Sequence, residues 1–158
     1  MKYERETCNL LRRLGVNNSY VGFRYTVYGV IRAIANPELL IYISKGLYVE
    51  ISAEYRTSIG CVERNIRTII STIWLHGDRT LLNQVFGFEL EQKPRNGAFI
   101  DALSHYVVEH YYDRFCKIYL GYPSAYSKVM ILQNHKKRRE ARPGDHRVCL
   151  LCSYIVSF

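Results

Sequence analysis

The sequence predicts an all-α protein, a compact bundle of about six helices, and three observations carry that reading. Apolar residues recur at three- and four-residue intervals through most of the first 110 positions, the period of a helix face. Single glycines, an Asn-Pro pair and polar triplets cut the pattern into separate helices, so the connections are short. No stretch of that region alternates apolar and polar residues long enough to demand a sheet; only 88–92 offers a minor ribbon.

Leu10, Leu11 and Leu14 precede Gly15 and predict a short helix closed by that glycine, followed by a loop over Asn17, Asn18 and Ser19. Phe23, Val27, Val30, Ile31 and Ile34 then share one helical face until Asn36-Pro37 stops it. Asn36 can cap the next segment and Pro37 fits a first helical position, so Glu38 to Ser44 reads as a short helix with Leu39, Leu40 and Ile43 inward. Gly46 interrupts. Leu47, Ile51 and Tyr55 mark the next helix, and the polar turn Arg56-Thr57-Ser58 comes after it, with Ser58 or Thr57 as the cap of its successor.

That successor is long and amphipathic: Val62, Ile66, Ile69, Ile70 and Ile73 lie on one side, and His76-Gly77-Asp78 is its stop. Leu82, Val85 and Phe86 before Gly87 predict a short helix, and an irregular connection reaches Arg95. Phe99, Ile100, Leu103 and Val107 form the last helix, capped near Asn96. Tyr111, Phe115 and Ile118 fit its extension until Gly121-Tyr122-Pro123-Ser124 breaks it.

At 158 residues and 48% hydrophobic, the chain suits one domain with a modest appendage, expected to divide into 1–110 and 111–158. The formal charge of +8 favours polyanionic partners, nucleic acid first. Half of that excess sits in the tail, where Lys136, Lys137, Arg138, Arg139, Arg142 and Arg147 face Glu140 and Asp145 for a net +4. Order and disorder both stay open for this basic tail. It reads as a solvated segment or an auxiliary phosphate-binding arm, and a membrane-surface contact is the weaker alternative.

The first nine residues mix both signs of charge without an apolar run, so no secretory leader is expected. The apolar end, Val148 to Phe158, is shorter than the roughly 20 residues of a membrane span, so a cytoplasmic protein without a membrane partner is expected. Cys8, Cys61, Cys116, Cys149 and Cys152 are odd in number and scattered, which reads as reduced thiols. Cys149, Cys152 and His146 supply three local ligands where structural zinc takes four, so neither metal nor cofactor is expected. His76, His105 and His110 lack a nucleophile and carboxylate in pattern, and phosphate-loop, dinucleotide and zinc-protease motifs are missing, which argues against an enzyme. The helical tyrosines Tyr25, Tyr28, Tyr42, Tyr48 and Tyr55 read as half-buried packing residues.

The helix from Leu47 to Tyr55, its three-residue turn and the longer helix after it make a helix-turn-helix, whose second member enters the major groove of DNA. Successive residues lie about 100° apart, which sets Arg64 opposite the apolar stripe. Gly60, Cys61, Asn65, Arg67, Thr68 and Ser71 flank it, and Ser58 stands at the start. Arginine donates two parallel bonds to guanine O6 and N7, and small residues let the helix backbone approach the bases. Glu63, at the border, can accept from cytosine N4 or pair with Arg67 four residues on; the pair is favoured. A solvated surface helix is the plainer reading of the same face.

Leu10-Leu-Arg-Arg-Leu-Gly-Val16, Phe23-Arg-Tyr25, Asn36-Pro-Glu-Leu-Leu40, Ser44-Lys-Gly-Leu-Tyr48 and Val62-Glu-Arg-Asn-Ile-Arg67 resemble the C-terminal effector domain of the stage-zero sporulation protein A family. Trp74, Phe86-Gly87-Phe88, Lys93-Pro94 and Asn96 to Ile100 continue the match in order, over about 10–110. The resemblance implies a six-helix DNA-binding domain, with Ser58 to His76 as recognition helix and Arg64 and Arg67 on base edges and phosphates, Glu63 alongside. It also implies side-by-side protomers on repeated boxes of double-stranded DNA and contact with an RNA polymerase sigma factor.

Three departures qualify the resemblance. Gly60-Cys61 stands where the family has Ser-Arg, and Thr68 stands where it has a histidine. Each good base contact is worth about 1–3 kcal/mol, so weaker binding or a different box is expected. Nothing before Leu10 supplies the family's phosphoacceptor receiver, so control by aspartyl phosphorylation is not expected. The rival reading is a protein-interaction module that has lost DNA affinity and binds the parent regulator or RNA polymerase.

Overall fold

The computed structural model describes residues 2–115. Among them are six α-helices, α1 (Lys2–Arg13), α2 (Val21–Ala35), α3 (Leu47–Glu54), α4 (Ile59–His76), α5 (Arg79–Phe86) and α6 (Asn96–Phe115), with a 3₁₀ turn at Pro37–Leu40 after α2. No strand occurs among the described residues, as an all-α chain requires. No helix among them is long and apolar enough to cross a membrane.

The core is organised on α4. Val62, Ile66, Ile69, Ile70 and Ile73 are at most 1% exposed and pack in one cluster with Leu11, Leu14, Val30, Leu47, Ile51, Phe99, Ile100 and Leu103 from the surrounding helices. An especially close helix approach is at Gly22 in α2. A Cβ there would stand 2.7 Å from the Asn65 carbonyl carbon and 2.8 Å from Ile69 Cγ1, so only glycine lets α2 lie against the α4 backbone. Gly15 closes the α1 connection at φ +99, the left-handed conformation its place in the sequence predicts.

Five expectations need correction. The first helix is not confined to the leucines: it starts at Lys2, because Tyr3, Thr7, Leu10 and Leu14 continue the inward stripe. Thr7 is fully buried with its hydroxyl donating to the Tyr3 carbonyl at 2.8 Å, so a threonine fills an apolar place. The helix expected from Glu38 to Ser44 is only the 3₁₀ turn Pro37–Leu40, capped by the Asn36 side chain on Glu38 N at 3.2 Å and followed by hydrogen-bonded turns to Gly46. Ile41 and Tyr42 there are 69% and 72% exposed, so no continuous face sustains a helix and Tyr42 is not a packing residue.

The ribbon considered at 88–92 does not form. Leu90 N donates to Asn83 Oδ1 at 3.2 Å and Leu90 O accepts from Arg79 at 3.1 Å, so side chains of α5 satisfy the backbone groups a strand partner would need. Asn96 begins α6 but does not cap it; its amide crosses to α3 and α4. The basic run Lys136 to Arg147, the Cys149 and Cys152 pair and the apolar C-terminus fall outside the described residues.

Candidate nucleic-acid interface

The helix-turn-helix is α3, the turn and α4. Leu47, Tyr48 and Ile51 bury the inner side of α3, and Arg32 of α2 holds its outer side through Glu50 at 2.6 Å. The Glu50 carboxylate, by hydrogen bond and then by charge, raises the proton affinity of the Arg32 guanidinium. Tyr55 closes the helix against Tyr25 and Tyr28, with ring centroids 4.9 and 5.9 Å apart, so these tyrosines pack together as expected. Desolvation holds the Tyr55 phenol above its ordinary range.

The turn itself is specified by backbone bonds. Thr57 N donates to Ser52 O at 3.0 Å and Arg56 N to Ala53 O at 3.4 Å, a Schellman closure that puts Arg56 at φ +49. An arginine occupies the position glycine favours. Ser58, rather than Thr57, then caps α4: its hydroxyl accepts from Cys61 N at 3.2 Å.

Arg64 stands at the centre of the solvent face, exposed, with no ion pair or side-chain hydrogen bond among the described residues. Arg67 and Thr68 are exposed one turn further on, and Ser58 and Gly60 at the start of the helix. A Cβ added at Gly60 would meet nothing within 4 Å, so the N-terminal end of α4 is open.

The remaining members are committed within the protein. Glu63 pairs with Arg67 one turn later, the arrangement favoured from the sequence, and their side chains are 43% and 59% exposed. The Thr68 hydroxyl donates to Arg64 O at 3.0 Å, which turns its hydrogen-bonding group back onto the helix. Asn65 and Cys61 are half-buried rather than fully outward: Asn65 Nδ2 donates to Cys61 O at 2.8 Å and lies 3.2 Å from Cys61 Sγ. The reason is local, because α2 reaches the α4 backbone at Asn65. Cys61 and Cys8 are free thiols, and burial pushes the Cys8 thiol up.

Three residues outside the expected set lie at this face. Asn96 Nδ2 donates to Tyr48 Oη at 2.8 Å and to Glu63 O at 3.0 Å, joining α6 to both members of the helix-turn-helix. Tyr48 is buried and its phenol is held above the ordinary range, by desolvation first and against the Asn96 bond. Lys93 Nζ donates to Ser71 Oγ at 3.0 Å on α4. Sequence spacing gave no signal for these links, since the partners are 48, 33 and 22 positions apart.

The candidate face is therefore an exposed cationic helix face on a tightly buried helix, fixed to its neighbours by α2 and Asn96. Among the described residues no group of histidine, cysteine and acidic side chains could hold a metal ion. The family model described as sporulation initiation factor Spo0A C terminal matches residues 7–107. The chain belongs to this family. The match takes in the complete helix-turn-helix, the Asn96 link and the Lys93 segment. As a Spo0A C-terminal domain it is a DNA-binding domain of sporulation regulation.

Proposed function

We propose that this domain is a sequence-specific transcription regulator that reads double-stranded DNA by placing α4 in the major groove. The observation that carries the reading is Arg64, an uncommitted exposed guanidinium opposite a fully buried helix face. It projects two donors to guanine O6 and N7. Arg67 is held by Glu63 in the free protein, and an exposed pair of this kind is worth only about 0.3–0.5 kcal/mol, so a phosphate or base edge readily replaces the carboxylate. Glu63 is then available to accept from cytosine N4.

Gly60 and Cys61 contribute small size, letting the start of α4 approach the bases; Ser58 holds that end in helical form. Thr68 offers its methyl group to thymine, because its hydroxyl is engaged by its own helix. Asn65 acts through the Cys61 carbonyl as a brace. Side-by-side protomers on repeated boxes and contact with a sigma factor rest on kinship with the Spo0A family alone.

Selection of bound duplexes from a random pool tests the reading. A common box should be enriched, affinity should fall steeply as salt rises, and Arg64→Ala with Arg67→Ala should lose discrimination while helical content is retained. No enriched box, and equal retention of duplexes by both proteins, would point instead to the protein-interaction module and sink the assignment of α4.

A further inference from the structure

We infer that the exposed cations of the segment just before α6, Lys93 and Arg95, form a second DNA-contacting element that grips the phosphodiester backbone beside the groove filled by α4. The inference rests on the reading of α4 above and extends it to residues that reading does not use.

Three tethers fix the path of the segment. Leu90 is fastened to α5 by Asn83 and Arg79. Lys93 reaches Ser71 on α4 at 3.0 Å, and Asn96 reaches the Glu63 carbonyl, also at 3.0 Å. Residues 93 and 96 are thus anchored to α4, one near Ser71 and the other near Glu63. These two side-chain bonds tie the segment to α4 at points eight positions apart on that helix, as a strap beside its solvent face.

Arg67, exposed, lies midway between Glu63 and Ser71 in the sequence of α4. Pro94 lacks a backbone donor, fixes its own φ and pushes Lys93 towards extended backbone, so the strap is stiff before any ligand arrives. Lys93 and Arg95 are both exposed. An ammonium has three donors, so Lys93 can keep Ser71 and still reach a phosphate oxygen. Glu89 and Glu91 flank Leu90, at the end fastened to α5 rather than α4. Contacts of this kind set register on the duplex and carry no sequence information.

The test compares the full chain with its Lys93→Ala, Arg95→Ala variant by fluorescence anisotropy, on a labelled duplex from the enriched pool and an unrelated duplex of equal length, over a range of salt. The double variant should weaken both duplexes equally, about 10- to 30-fold at physiological salt, and should flatten the slope of log affinity against log salt by about 1.8. Lys93→Arg should keep the slope. Circular dichroism should give both proteins the same melting curve.

An unchanged slope overturns the inference and leaves α4 as the reader. A changed ratio between the two duplexes also overturns it, since the segment would then touch bases. If the unaltered protein shows no salt-dependent binding to any duplex, the reading of α4 fails first, and this inference falls with it.

Discussion

The two sides of α4 obey different rules. Towards the protein, five β-branched residues are sealed in a packed cluster and leave no room even for a Cβ at Gly22 of the facing helix. Towards solvent, the Arg64 side chain has no bonded partner among the described residues, Gly60 borders empty space and Arg67 is held by one surface pair. The inner side is therefore intolerant of change and sets where the helix lies. The outer side carries little of the packing and is open to solvent.

Substitutions on each side should separate those effects. Ile66→Ala should have the largest consequence, a loss of about 2–5 kcal/mol in urea unfolding, because it empties a fully buried place. Gly22→Ala should cost about 1–3 kcal/mol by forcing α2 away from Asn65 and Ile69. On the other side, Arg64→Ala should leave stability within about 0.5 kcal/mol and yet cost about 1–3 kcal/mol of discrimination in duplex binding. A large unfolding effect of Arg64→Ala would break the comparison.

Two smaller measurements sharpen it at the borders between the sides. Arg56→Gly should raise stability by about 0.5–1 kcal/mol, since glycine adopts the left-handed turn without the Cβ clash. Tyr48 is joined to Glu63 of α4 through the Asn96 amide and has its phenol pushed up by burial, so the folded state holds that proton more tightly than the unfolded chain. Its contribution is complete below pH of about 10 and is lost as pH climbs through the raised value. Tyr48→Phe should make alkaline unfolding less steep, which a pH series of melting curves would measure.

The inner side of α4 was legible because Val62, Ile66, Ile69, Ile70 and Ile73 repeat a period that only a helix face satisfies. The outward place of Arg64 came from the same geometry. The commitments of Asn65 and Thr68 did not, because angular position gives a direction but not the hydrogen bonds a side chain finds there. Likewise the start of α1 hid behind Thr7, a polar residue in an apolar place. Asn96 looked like a cap because its distant partners, Tyr48 and Glu63, come near only after the helices pack.

The vacancy next to Gly60 gives the molecule a point of free evolution. Any side chain placed there projects into solvent, and most helix-forming residues alter intrinsic helix preference by less than about 1 kcal/mol relative to glycine. A saturation library at that one codon would thus yield a panel of folded proteins that differ in the side chain offered at the start of α4, all drawn from the same scaffold.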